Sequence, residues 1–444
     1  DISATYRKVS EEAPGAQVIA SSLDAFAQAL DGVRDTLPVI TSEIGDTWIH
    51  GAGTDPTKVR RYRELSRLRR EWLDRSLNDD DRARVDQFSD ALIQIPEHTW
   101  GLDEKMHLAD HELYTQADLV KLRQSERGQH FEASWTEQRA YVDQALKALA
   151  GTALGDEAET RLAEIAPSAP PVVTGTIPAN LILRSSQLEL SFDPQMGAIT
   201  HLLKRGSSYV WSSHEYPLAL IQYETFGSDD YDRFWVQYNR NRDREDVAWW
   251  GFEDFTKPGL PTKEHQAWLP SVTAAAQTGE NRLQFDLALP NAAGQFGAPQ
   301  RLTLEYALAD EEIEITLAWF GKPANRQPEA FWLSFVPHAE VEDGWRFEKL
   351  GRPVNPRDVV SRGARTLHAI DQKVTYRDPH GTFELTSLDA PLVAPGQRSL
   401  LNFHNRVPEM HGGVHVNLYN NVWGTNFPMW FEDDAVFRFR LRID

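Results

Sequence analysis

The run Ile95-Pro96-Glu97-His98-Thr99-Trp100-Gly101-Leu102-Asp103 brings a carboxylate, an imidazole, a hydroxyl and an indole within a few residues of one another. It follows the apolar segment Ala91-Leu92-Ile93-Gln94-Ile95, which Pro96 breaks, so these side chains are offered where regular structure stops. An imidazole can ligate a metal or move a proton, and a planar indole can stack on the C–H face of a sugar ring. His98 is therefore a candidate metal ligand, and Glu97, Trp100 and Asp103 are candidate substrate-binding residues. The competing explanation is that this polar cluster only caps the preceding helix.

A second constellation is Glu43-Ile44-Gly45-Asp46-Thr47-Trp48-Ile49-His50-Gly51, at the end of an expected strand, where active-site loops emerge in α/β architecture. A carboxyl partly buried beside an aromatic ring has its pKa raised and can serve as a general acid. Asp46 and Glu43 are thus candidate catalytic groups, and Trp48 a candidate sugar platform; the plainer role for Asp46 is to hold loop amides. His107-Leu108-Ala109-Asp110-His111 would put two imidazoles on one helix face, but it matches a zinc-peptidase motif only loosely. The polar, aromatic stretch Asn417 to Phe427 reads as a loop that ties a β-domain together or reaches a ligand.

The elements that must position these groups follow from pattern. Val18-Ile19-Ala20, a helix from Ser22 over Leu23 to Leu30, and Leu37-Pro38-Val39-Ile40 read as strand, helix and strand. Such a βαβ piece belongs to a parallel sheet, and two strands do not make one, so its partners are expected from sequence outside these residues. From Asp55, with Pro56 at the first helical position, to about Leu149 the period is helical. Val85, Phe88, Leu92 and Ile95 keep one apolar face, and Ser134-x-x-Glu137 predicts a capping box. The arginines between Arg60 and Arg70 read as a solvated face paired with Glu64 and Glu71. Ala166-Pro167-Ser168-Ala169-Pro170-Pro171 reads as a linker. Beyond it the period changes to 2, as in Leu188, Leu190 and Phe192, or Ile313, Ile315, Leu317 and Trp319, which predicts a large antiparallel sandwich.

Composition narrows the chemistry. The formal net charge is −20, from 46 basic and 66 acidic residues, which repels phosphate backbones and argues against a nucleic-acid partner. No run approaches the roughly 18 apolar residues of a membrane helix, so no membrane partner is expected. With no cysteine, any metal must be held by His, Asp or Glu, and the compartment, cytoplasmic or periplasmic, stays open. Fourteen tryptophans are explained first by core packing, since large aromatics dominate burial, and any that face outward tilt the expectation modestly toward carbohydrate. Homo-oligomerisation is left open by the sequence.

The order Leu37-Pro38-Val39-x-x-x-Glu43, Trp48-x-x-Gly51-x-Gly53-Thr54, a helical bundle, Gln94-Ile95-Pro96-Glu97-His98-Thr99-Trp100-Gly101 and a long β-sandwich resembles the family 38 alpha-mannosidases, and more closely a group of alpha-mannosidase-like proteins related to them. The resemblance covers most of the chain. It implies an α+β multidomain fold: residues 1–54 as the C-terminal remnant of a β/α barrel, 55–165 as the bundle and 172–444 as the sandwich. It also implies that His98 is a ligand of zinc or another divalent metal whose remaining ligands, with the nucleophile, lie in an N-terminal barrel segment missing from this chain. Thr99 stands where the family has an aspartate, and Glu43 near a position usually Asp, which puts the sugar in doubt.

The activity implied is metal-dependent retaining glycoside hydrolysis of terminal bonds in a carbohydrate substrate, with two carboxyls roughly 5 Å apart. This chain can offer at most one of them, Asp46 or Glu43, so the 444 residues alone are expected not to hydrolyse glycosides. The alternative is a non-catalytic carbohydrate-binding or assembly subunit in which His98 is structural.

Overall fold

In the computed structural model, residues 2–45, 47–97, 99–108, 111–174, 181–243 and 251–444 are described. Asp46 and His98 lie outside the described residues. The chain forms two units, Asp1–Glu43 and Ile44–Asp444.

The first unit consists of helices Ile2–Glu12 and Leu23–Asp31 and a short 3-10 turn, Arg34–Thr36. Ser22 caps the second helix as expected, its hydroxyl accepting from the Ala25 amide at 3.2 Å. The strands expected at Val18–Ala20 and Leu37–Ile40 are not formed. A strand is held by hydrogen bonds to a neighbour, whereas a capped helix satisfies its own backbone, so the helix survives where its flanking strands do not. Leu23, Phe26 and Leu30 share one helix face and are exposed, as are Val39 and Ile40.

The second unit opens with the Trp48–Gly53 3-10 turn and then the helix Pro56–Leu73. Asp55 caps that helix through the Lys58 amide at 3.0 Å, and Asn78 caps Asp79–Leu92 through the Asp81 amide at 2.8 Å. Leu65, Leu68 and Trp72 pack with Val85, Phe88, Leu92 and Ile95 and with Val142, Ala145 and Leu149 into one apolar core. The expected capping box at Ser134 is instead the interior of a 22-residue helix, Glu126–Lys147, capped by Ser125. Nothing in the local pattern breaks the helix ahead of Ser134, so an interior serine mimicked a start.

Among the described residues, the C-terminal part forms two antiparallel sheets of ten and nine strands. At the centre of the first, Leu218–Thr225, Glu329–Phe335 and Val414–Asn420 lie side by side. At the centre of the second, Ala435–Ile443 pairs with Ile313–Phe320 and Gly381–Ser387. Inward residues of both sheets, among them Ile221, Leu333 and Val416 from one and Ile315, Leu317 and Phe439 from the other, form a single core. The α+β class and the sandwich are as the sequence predicted.

The arginine-rich stretch is not a solvated face. Arg60 and Arg63 are buried, and the Arg63 guanidinium donates to the carbonyls of Leu388 (3.0 Å), Ile370 (3.2 Å) and Ser387 (2.7 Å) in the sandwich. Glu64, buried beside it, takes Arg67, Arg161 and Arg438. Charged side chains thereby bond bundle to sandwich, and the proline-rich linker lies along the sandwich, the Pro170 carbonyl accepting from Arg301 at 2.9 Å. No helix among the described residues is long and apolar enough to cross a membrane.

Candidate functional site

The Trp48–Gly53 turn supplies a large aromatic that stays open. Trp48 is 40% exposed, and its ring is met edge-on by Phe255 (5.6 Å between centroids) and Trp423 (5.5 Å), the latter fully buried. His50 stacks flat on the far partner, Trp423, at 5.0 Å, with its Nε2 3.0 Å from the Leu400 carbonyl. The turn is seated by glycines: a β-carbon on Gly51 would stand 1.9 Å from the Phe427 ring, and one on Gly53 would stand 2.3 Å from Asn420 Nδ2. Asn420 in turn donates to the His50 carbonyl at 3.1 Å. The Asn417-to-Phe427 stretch is thus the floor beneath Trp48, with its asparagines tying backbone and Trp423 and Phe427 facing the turn.

The Glu97-to-Asp103 cluster lies against this floor. Trp100 is buried, edge-on to Phe427 at 6.1 Å, and the Lys58 ammonium sits 4.0 Å above its ring. Lys58 is itself buried; burial pulls its pKa down to about 8, with Asp55 and Glu97 pulling the other way. Glu97 is exposed and its carboxylate accepts the Thr99 amide at 2.8 Å. Asp103 caps the short helix Glu104–His107 through the Met106 amide at 3.0 Å and pairs with Lys105 at 2.9 Å. Ser134, within its helix, accepts the Leu102 amide at 3.1 Å and so fixes this turn from behind.

Sequence reasoning missed the buried charges that follow. Lys105 bridges Asp103 and Asp254. Glu104 is buried against Arg326 at 3.3 Å and near Lys257. Burial raises the Glu104 carboxyl despite those two cations, and lowers Lys257 to about 8 despite Glu104. Glu104 also meets the floor: its amide donates to the Thr425 carbonyl at 2.7 Å, and the Gly424 amide donates to the Asp254 carbonyl at 3.2 Å. The charged cluster therefore positions Trp423 and, through it, Trp48. The only sequence signal for it was the polarity of Asn417 to Phe427; Glu104, Lys257 and Arg326 are too far apart in the chain to be read as one group.

Of the residues singled out by sequence, the structure brings Trp48, Trp100 and Asp103 to the two sides of one aromatic floor. Glu43 is the last residue of the first unit, and Asp46 and His98 lie outside the described residues. His107 and His111 do not share a helix: the helix stops at His107 because Leu108 is extended (φ −114°, ψ 116°). Among the described residues no three His, Asp or Glu side chains come together as a metal ion requires, so those residues make no metal site of their own.

The family described as a domain of unknown function, DUF5054, matches residues 52–316. No curated protein matches the chain. Among solved structures, an alpha-mannosidase from Enterococcus faecalis V583 is similar over 100% of this chain and 61% of its own, with a TM-score of 0.51 at 9% identity. A glycosyl hydrolase family 38 protein from Enterococcus faecalis is similar over 100% of this chain and 62% of its own, with a TM-score of 0.51 at 10% identity. The chain therefore shares the fold of the part of these proteins that it spans, about six-tenths of their length.

Proposed function

This chain belongs to the DUF5054 family, and on that premise we propose that it is the bundle-and-sandwich part of a glycoside hydrolase resembling the alpha-mannosidases. In this reading residues 1–54 join a barrel supplied outside these 444 residues, 55–165 are the bundle and 172–444 the sandwich. The substrate is a carbohydrate with a terminal glycosidic bond. A divalent ion, zinc foremost, would need His98 together with ligands from outside this chain, and Asp46 or Glu43 would be the one carboxyl contributed from here.

The observation that carries the reading is Trp48: an indole held half-open by two perpendicular rings, on a turn whose glycines admit no side chain. A rigid aromatic face of this kind offers a sugar ring stacking area at little conformational cost. The fold shared with two family 38 structures over the whole chain supports it, as do the apolar side chains of Leu23, Phe26, Val39 and Ile40, which the first unit leaves uncovered.

Oligosaccharide binding to the purified chain, followed by calorimetry, tests the platform. Trp48→Ala should weaken binding at least tenfold while the circular dichroism spectrum is kept; unchanged affinity would remove Trp48 from the site. Nitrophenyl glycosides should not be turned over by the chain alone, and turnover that survives chelator would show that no outside segment is needed. Glycan binding by the longer protein without any turnover would favour the binding-subunit alternative.

A further inference from the structure

A separate cleft of about 580 Å³ lies on the ten-stranded sheet, between the segment carrying Asp230 and His265 and the loop Gly396 to Asn402. Beneath it lie three adjacent strands. Ile221 and Tyr223, Phe331 and Leu333, and Val414 and Val416 face the sandwich core. The alternate residues, Gln222 and Glu224, Ser334, and His415, face the other way, because side chains along a strand alternate. The outward face of these three strands is polar here, and the cleft above it has a volume typical of small-molecule sites.

Among the described residues the charges in the cleft do not balance. Glu224 and Asp230 are both buried, and the His265 imidazole lies between them, 3.6 Å from one and 3.4 Å from the other. Their hydrogen bonds raise His265 to about 9, so it is a cation at neutral pH. Arg233 also pairs with Asp230, at 2.7 Å. Two carboxylates are thus answered by two cations. Arg398 is the third cation, and among the described residues it has no carboxylate within ion-pair distance. It donates to the Ser334 hydroxyl at 3.1 Å, and among the described residues its buried Nε has no partner. His415 beside it is 4% exposed; its Nδ1 lies 2.9 Å from the same hydroxyl and its Nε2 is buried with no hydrogen bond of ordinary geometry. Burial holds this imidazole neutral. Among the described residues the cleft therefore carries one excess positive charge, inside a chain of net charge −20.

A guanidinium edge with free donors takes a carboxylate in two parallel hydrogen bonds. The rest of the cleft offers acceptors (Glu224, Asp230) and neutral amides (Gln222, Asn402), which suit hydroxyl groups. One excess charge matches a monocarboxylate; a phosphate dianion would leave the cleft negative. We propose that this cleft binds a polyhydroxylated monocarboxylate, a sugar acid, with its carboxylate on Arg398 and its hydroxyls toward Glu224 and His265.

The test is calorimetric titration of the purified chain at pH 7 with glucuronate, glucose and glucose 6-phosphate. Glucuronate should bind at least tenfold more tightly than either of the others, and Arg398→Gln should erase its advantage over glucose. Gln222→Ala, which keeps the charges, should weaken glucuronate and glucose alike and serves should Arg398→Gln fail to fold. Equal binding of glucose, preference for the phosphate, no binding of glucuronate, or an advantage that persists in Arg398→Gln would each overturn the proposal.

Discussion

Gly51 packs against the edge of the Phe427 ring so closely that a β-carbon would stand 1.9 Å from Phe427 Cε1. Phe427 is 2% exposed and touches Trp48 and Trp100, so it has no room to retreat. One missing methyl thus sets the seat of the turn that carries the open tryptophan. Gly51→Ala should cost about 1–3 kcal/mol through overpacking. Gly294→Ala, where a β-carbon meets nothing within 4 Å, should be near neutral. Urea denaturation of the two variants makes the comparison, and adding Phe427→Leu should recover part of the Gly51→Ala loss.

Arg63 joins helix to sandwich by satisfying several strand-end carbonyls with one planar fork. Arg63→Met keeps the apolar stem but strands buried acceptors, each worth about 1–3 kcal/mol when left unpaired. The expected outcome is a loss of at least about 3 kcal/mol in the urea midpoint extrapolation. Arg63→Lys should recover less than half of it, since an ammonium cannot reproduce the fork. A variant as stable as the parent would mean that water replaces the guanidinium.

Glu64 gives the fold an acid dependence. Burial would raise its carboxyl, but Arg67 and Arg438 outweigh that and hold it at about 2. A carboxyl depressed in the folded state contributes its full stabilisation above its unfolded value, about 4.3. That contribution is lost as pH falls from there toward 2. Urea midpoints measured between pH 6 and 3 should therefore decline. In Glu64→Gln the midpoint should start lower at pH 6 and decline less, whereas parallel curves would assign the acid response to other groups.

Lys58 acts with the opposite sign. Its ammonium, pulled down to about 8 by burial, is charged at neutral pH at the expense of the fold, and that penalty lifts as pH rises from about 8 toward the ordinary lysine value near 10.4. Lys58→Met should raise the urea midpoint at pH 7 and flatten its rise between pH 8 and 10. A lower midpoint at pH 7 would mean that the contact with Trp100 outweighs desolvation.

Much of the scaffold was legible because its signals are local. Asp55-Pro56 and Asn78 start helices through their own side chains and dihedral limits, and strands such as Leu188–Phe192 and Ala435–Ile443 bury alternate residues as their period requires. The misses have one cause. Val18–Ala20 and Leu37–Ile40 have strand composition but no neighbour in their unit; Ser134 has a cap's chemistry inside a continuing helix; and Arg60 and Arg63 look solvated until a sandwich built from residues more than three hundred positions away covers them. Each depends on what packs alongside, which a window of sequence does not contain.

The candidate site divides in the same way. The sequence by itself determined that Trp48, Trp100 and Asp103 sit at breaks in regular structure, because prolines, glycines and capping groups act within a turn or two. Only the tertiary structure decided that Trp100 is closed over by Lys58 while Trp48 stays open, and that Arg398 ends beside His415 and Ser334 with no carboxylate among the described residues in ion-pair reach. Burial and charge balance are properties of everything within a few ångströms, and those neighbours are drawn from strands and loops that the chain order keeps far apart.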